Sequence, residues 1–301
     1  MHAAESIANI IKQAESILLG KQTAVRQAVI CLMANGHLLI NDLPGVGKTT
    51  LANLLANLFG FEYQRIQFTS DLLPADITGV STFDARTGAF TFHKGPIFSQ
   101  LVLADEINRA SPKTQSALLE AMEERQVSIE TQTRSLPEPF FVIATQNPAE
   151  QVGTFPLPES QLDRFMFSIR IGYPDAEAEK QLLKNRDPRS RLNQITPQIE
   201  LDEFLRIQSQ ITDVFASDAL LEYLQHIISF TRTSGSFVTG YSPRAGMAVL
   251  RAARATAFLD QRKEVLPEDI QFVLPATVHH LRSRERNDHI AEEILNSVPI
   301  P

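Results

Sequence analysis

Cysteine is nearly absent from this 301-residue chain, and its single thiol, Cys31, leaves no possibility of an intramolecular disulfide. A reducing compartment is therefore expected, and within AVICLMA Cys31 is expected to pack rather than react. No apolar run approaches the ~20 residues needed to span a bilayer. The N-terminal MHAAESIANIIKQAES has neither the basic start nor the continuous apolar segment of a secretory signal, which points to the cytoplasm. Positive charge is not in excess either: 28 Lys and Arg against 35 Asp and Glu give −7. Divided at residue 172, the balance is 13 − 17 in the first part and 15 − 18 in the second, so neither half advertises nucleic acid or anionic lipid as a partner. The seven histidines show no zinc-ligand spacing, the His279–His280 pair and the lone His93 included. Internal repeats and low-complexity tracts are missing.

What is present is a globular balance, with 43% hydrophobic and 21% charged residues. The length suits one large domain or two ordinary ones. Apolar periodicity predicts helices over 3–19, 23–34, 49–59 and 113–124. Short apolar or alternating runs predict strands at 37–41, 63–68, 101–105, 140–146 and 165–171, with a hairpin around TQT in 126–139. Alternating strands and helices imply a mainly parallel sheet covered on both faces. Beyond Gly172 the spacing is helical over 175–186, 201–212, 217–231, 243–260 and 267–284, punctuated by prolines at 174, 188, 197, 243 and 267. Two domains are expected, an α/β domain over 1–172 and a helical domain over 173–301.

The stretch NDLPGVGKTT (41–50) follows a strand and opens a helix. Gly45 and Gly47 let backbone N–H groups turn toward an anion, and the helix N-terminus adds its dipole. Pro44 stiffens the loop around Val46. Lys48 is placed to reach β and γ phosphates, and Thr49, beside Thr50, to offer a hydroxyl to Mg²⁺. The pattern G-x-x-x-x-G-K-[ST] wants glycine at 42, where this chain has Asp42; at a strand end that aspartate is expected to be tolerated. LVLADEINRA (101–110) brings Asp105 and Glu106 to a strand's C-terminal end, where ligands of α/β sheets bind. Asp105 is expected to hold Mg²⁺, directly or through water, and Glu106 to polarise a water for in-line attack on a γ-phosphate. In TQNP (145–148), Asn147 is either a turn residue or a hydrogen-bond partner of that water or phosphate. Arg109 either crosses an interface or pairs with a nearby carboxylate.

NDLPGVGKTT, LVLADEINRA, ATQNPAE, LPESQLDRF and GYSPRA in this order resemble the AAA+ ATPases, and LADEINRASPKTQSALLEAMEERQVSI is similar to the MoxR family among them. The resemblance runs from about residue 5 to 285. It implies a P-loop NTPase sheet of five parallel strands ordered 5-1-4-3-2, a C-terminal helical lid, and a homo-hexameric ring binding ATP and Mg²⁺ at subunit interfaces. It further implies Walker A at Lys48 and Thr49, Walker B at Asp105 and Glu106, and sensor 1 at Asn147. Arg164 in QLDRF corresponds to an arginine finger toward a neighbour's ATP, and Arg244 in YSPRA to sensor 2 on the lid. Residues 78–96 resemble an insert within the second helix, and 126–139 a hairpin before sensor 1; each either faces a pore or partner, or braces the subunit. Chaperone-like remodelling of a client, in complex assembly or metal-cofactor insertion, is the implied role, often beside a separate protein with a von Willebrand factor A domain.

Two other classes compete. A nucleic-acid motor would want basic hairpins in its pore, yet 126–139 offers only Arg134 against Glu130 and Glu138, a poor phosphate track. A low-turnover nucleotide switch would not need both Glu106 and Arg164. No N-K-x-D base-reading motif appears, so ATP rather than GTP is the expected nucleotide.

Overall fold

The computed structural model describes residues 2–86, 88–129, 132–147, 153–184, 192, 195–281 and 289–300. Five short segments, all but the alternating β2 largely apolar, build one parallel sheet: β1 (Leu38–Asn41), β2 (Tyr63–Gln67), β5 (Leu101–Asp105), β8 (Phe141–Gln146) and β9 (Phe167–Ile169). Their order across the sheet is β2-β5-β8-β1-β9, which is 5-1-4-3-2 when these five are counted along the chain. Successive side chains leave opposite faces of a strand, so both faces need cover. Leu38, Ile40, Leu101, Leu103, Phe141 and Ile143 bury one face under α1 (His2–Ile17), α2 (Gln22–Met33) and α3 (Lys48–Phe59). Leu39, Val102, Ala104, Val142 and Ala144 bury the other under α5 (Pro112–Glu124).

Between β2 and β5 lie the short α4 (Pro74–Thr78) and the antiparallel hairpin of β3 (Gly79–Asp84) and β4 (Ala89–Lys94). A second hairpin, β6 (Gln126–Ile129) with β7 (Gln132–Ser135), precedes β8. Its turn at 130–131, residue 87 of the first hairpin and Pro148 of TQNP lie outside the described residues. The one-turn α6 (Glu159–Leu162) leads into Asp163 and Arg164.

The C-terminal helices are α7 (Ala176–Lys184), α8 (Leu201–Thr212), α9 (Asp218–Thr233), α10 (Pro243–Leu259), α11 (Pro267–Thr277) and α12 (Ile290–Ser297). Ser217 and Ser242 cap α9 and α10 by accepting from Leu220 N–H (3.2 Å) and Ala245 N–H (3.0 Å), filling donors that a helix start leaves open. Alanine-rich α10 lies against α1, α2, α8 and α11, so one apolar cluster runs from the sheet into the lid.

Some boundaries differ from the sequence expectation. The last sheet strand has three residues rather than the seven of 165–171; beyond its C-terminal end Ile171 N–H donates to the Asp42 carboxylate instead of to the ladder. The helix expected over 267–284 stops at Thr277 and passes into a 3₁₀ turn at Val278–His280, with 282–288 outside the described residues. Residues 185–186 of the helix expected over 175–186 also fall outside. Helices α4, α6 and α12 were not expected.

His37 is buried between the sheet and α5. Its Nδ1 accepts from Val142 N–H (3.0 Å), and its Nε2 is 3.2 Å from the Met122 carbonyl, so the neutral ring donates there. A second ring proton would face the Val142 N–H. Burial, with Arg125 adding to it, pushes the His37 pKa down to about 3. A group lowered in the folded state stabilises above its unfolded pKa and loses that contribution as pH falls. The loss is about 1.4 kcal/mol per unit below pH ~6.5. Urea unfolding at pH 7.5 and 5.0 is expected to show this, and His37→Asn, which keeps an acceptor for Val142, to remove about 2 kcal/mol of the acid sensitivity. An unchanged difference would locate the sensitivity elsewhere.

Candidate active site

The loop after β1 turns tightly onto α3. Gly45 has φ +84° with open space where a Cβ would stand, and Gly47 has φ +103° as the residue before α3; only glycine takes both without strain. A cleft of about 300 Å³ opens here, lined by Pro44, Gly45, Gly47, Lys48, Thr49 and Thr50 and faced by Asp105, Glu106 and Asn147. Val46 instead turns into the apolar core. Lys48 is 8% exposed. Its Nζ donates to the Asp42 carbonyl (2.6 Å) and to Asn147 Oδ1 (2.9 Å). Burial lowers the Lys48 pKa, while Asp105, Asp42 and Glu106 act to raise it. A buried ammonium held by neutral oxygens, with carboxylates only nearby, is suited to an incoming anion.

The carboxylates are fixed by three strands. Thr145, on β8, donates its hydroxyl to Asp105 Oδ1 (2.6 Å) and accepts from Glu106 N–H (2.8 Å). That second bond helps hold Glu106 at φ 56°, a left-handed conformation uncommon outside glycine. Arg65 grips Asp105 Oδ2 through Nη2 (2.6 Å) and Nε (3.2 Å). Glu106 Oε1 accepts from Asn147 (2.8 Å), and Oε2 from Gln67 (3.2 Å) and Arg109 (3.0 Å). Lys48, Asn147 and Glu106 thus form one chain of hydrogen bonds, and Arg109 pairs with its own chain's carboxylate. In this arrangement Oε2 accepts two bonds and Oε1 only one, so Oε1 keeps a lone pair on which a water could be polarised.

Arg65, Gln67 and Thr145 were not foreseen as site residues. Tyr63, Arg65 and Gln67 share one face of β2, a signal visible in the alternation of YQRIQF. That the face meets Asp105 and Glu106 depends on β2 lying beside β5, with Gln67 in register with Asp105.

Arg164 and Arg244 do not line the Lys48 cleft. Arg164 donates to the Leu119 carbonyl (2.7 Å) and pairs with Glu123 Oε2 (3.1 Å), while Arg244 contacts Glu123 Oε1. Ser242, two residues before Arg244, donates to both Asp163 oxygens (3.1 and 3.0 Å), which ties the start of α10 to the Arg164 loop. A second cleft of about 280 Å³ lies here, where Arg125, Arg164, Arg244 and Arg251 outnumber Glu123 and Asp163.

A glycine loop between β1 and α3, the Asp105–Glu106 pair at the end of β5 facing it and the sheet order define a P-loop ATPase with a helical lid. Residues 37–167 match the profile of the ATPase family associated with various cellular activities (AAA), and 229–298 match an AAA lid domain. The chain is 42% identical to YeaC of Bacillus subtilis, covering 97% of this chain and 93% of that one. It is 37% identical to the chaperone MoxR1 of Mycobacterium tuberculosis, over 96% and 78% of the two chains. A candidate ATPase from Cytophaga hutchinsonii, solved by crystallography, superposes with TM-score 0.89 at 35% identity, covering 100% of this chain and 96% of that one. The chain belongs to the MoxR-type AAA ATPases.

Proposed function

We propose that the chain hydrolyses ATP with Mg²⁺ in a homo-hexameric ring and uses the cycle to remodel a separate client protein in the cytoplasm. The observation that carries the ring is the meeting of Arg164 and Arg244 on Glu123, apart from the cleft that holds Lys48. Two guanidiniums presented together suit the phosphate oxygens of a nucleotide bound by the adjoining subunit. In this reading Arg244 works beside Arg164 rather than over its own subunit's loop, and Glu123 is their counter-ion until assembly. Lys48 grips the β and γ phosphates, the loop amides wrap them, Asn147 positions the attacking water, and Glu106 takes its proton. Mg²⁺ would be held by Thr49 and by Asp105, directly or through water, since Asp105 Oδ1 accepts only the Thr145 bond; it would neutralise charge on the phosphate oxygens. The domain reading stays 1–172 for the ATPase core and 173–301 for the lid.

The chaperone role is supported by the 37% identity to MoxR1. A client carrying a von Willebrand factor A domain rests on the family resemblance alone. The nucleic-acid alternative is disfavoured because Arg134, the one basic residue of 126–139, stacks over Phe92 at 4.1 Å and so joins the two hairpins. Among the described residues no helix is long and apolar enough to cross a membrane. Affinity capture with Glu106→Gln in ATP and in ADP tests the remodelling. Retention of the same protein in ATP only is the expected result, and its absence would leave an ATPase with no client. DNA-stimulated turnover would favour the motor instead.

A further inference from the structure

Asp42 is the motif residue for which the catalytic reading has no use. It stands where the phosphate-loop pattern has glycine, and it is 8% exposed. One carboxylate oxygen, Oδ2, accepts from two consecutive backbone amides, Ile171 N–H and Gly172 N–H, each at 2.6 Å. The other, Oδ1, accepts from Leu43 N–H at 2.7 Å. Three charge-assisted bonds in a buried place hold far better than neutral ones. The main chain of the same residue also works at both ends. Its N–H donates to the Gln146 carbonyl at 3.2 Å, and its carbonyl accepts from Lys48 Nζ at 2.6 Å. Lys21, in the turn between α1 and α2, completes the bracket by donating to the Gly172 carbonyl at 2.8 Å; burial lowers its pKa, while the charges of Asp42 and Asp175 act to raise it.

We infer that Asp42 is a positioning residue that couples the phosphate loop to the junction between the ATPase core and the lid. Its carboxylate fixes Ile171–Gly172, where the proposed lid begins, and its carbonyl fixes the lysine that grips phosphate. A glycine could supply the second contact but not the first. Displacement of the lid therefore pulls on the peptide that holds Lys48, and phosphate drawing Lys48 away loosens a residue anchored to the lid junction. Gly172 thereby becomes a mechanical reporter of nucleotide state. The inference rests on the proposed ATP turnover and core–lid division at residue 172, to which it adds movement of the lid about Gly172, so its test includes binding and exchange measurements that need no turnover.

The variants are Asp42→Gly, Asp42→Asn and Lys21→Met in the full chain. For each, ADP affinity by calorimetry, kcat and KM for ATP, Tm, and amide exchange at Ile171 and Gly172 with and without ADP are measured. Restoring the motif's usual glycine is expected to weaken ADP binding about 10-fold and to lower kcat at saturating ATP about 10-fold. Asparagine, which keeps one acceptor oxygen, falls between. ADP is expected to change exchange at Ile171 and Gly172 in the wild type and not in Asp42→Asn. Lys21→Met shifts the same quantities less, and combined with Asp42→Gly adds nothing further. A lower Tm with wild-type affinity, kcat and exchange response would reduce Asp42 to a structural brace and overturn the inference. So would wild-type or better binding and turnover in Asp42→Gly. Should that variant not fold, Asp42→Asn and Lys21→Met decide by the same measurements. A wild type without ATP turnover would reject the catalytic reading, while the ADP-induced exchange still judges Asp42.

Discussion

Arg164→Ala is expected to lower ATP turnover by about 10³- to 10⁵-fold while leaving nucleotide affinity of the isolated chain within about 2-fold, the range an arginine finger commands in phosphoryl transfer. The separation of effects follows from position. Arg164 bonds Glu123 and the Leu119 carbonyl and is not among the residues lining the Lys48 cleft, so one subunit's binding site keeps every group it has. Only the assembled interface loses a cation that offsets charge developing on the transferred phosphoryl. Lysine at this position should restore little, because its point charge cannot reproduce the planar donor fork. Mixing supplies the decisive form of the experiment. On the proposed roles, Arg164→Ala subunits would have a complete cleft and no finger, whereas Glu106→Gln subunits would have a finger and no base. Rings assembled from both contain interfaces where an intact cleft meets an intact finger, so the mixture is expected to hydrolyse ATP although neither component does. A mixture as inactive as its parts would place Arg164 in its own subunit's chemistry or outside it.

Glu106→Gln is expected to lower kcat by about 10²- to 10⁴-fold, the range for losing a positioned general base. Nucleotide affinity should be retained or modestly improved. The carboxylate touches Asn147, Gln67 and Arg109 but none of the loop residues that line the cleft, and its removal takes one negative charge away from the site that must accept a polyanion. A glutamine oxygen can still accept from Asn147, while its amide must face the donors Gln67 and Arg109, so a local shift of those two side chains is expected. Stability should change little, because the side chain is only partly buried. Single-turnover hydrolysis and ADP titration check the two halves. Undiminished hydrolysis would remove Glu106 from the mechanism, and loss of binding would show that its charge organises the loop instead.

These two expectations differ in how far the sequence could reach. The Lys48 loop and the Asp105–Glu106 pair are legible locally, because each function needs residues adjacent in the chain on a strand-to-helix or strand-end transition. From its own residues Asn147 was legible as a choice between turn and site, and by resemblance as sensor 1; its bonds to both Lys48 and Glu106 depend on β8 lying between β5 and β1. The shared face of Arg65 and Gln67 was visible in the alternation of β2, but not its place at the site, because the partner strand β5 lies far away in sequence. Arg244 could be matched to a lid sensor by resemblance, yet its contact with Glu123 follows from how α10 meets α5.

The order of the chain alone therefore determined the apolar alternation that buries the strands, the glycines that open the phosphate loop, and the chemical identity of the lysine and the carboxylates beside it. Each of these is decided within one turn or one strand, by sterics and hydrophobic burial that act between near neighbours. Tertiary packing decided which charges meet: Arg65 with Asp105, Glu123 with two arginines, and Asp42 with the amides of residues 171 and 172. Those pairings depend on which strands and helices come to lie side by side, because an ion pair or hydrogen bond is felt over a few ångströms of space however many residues separate its partners.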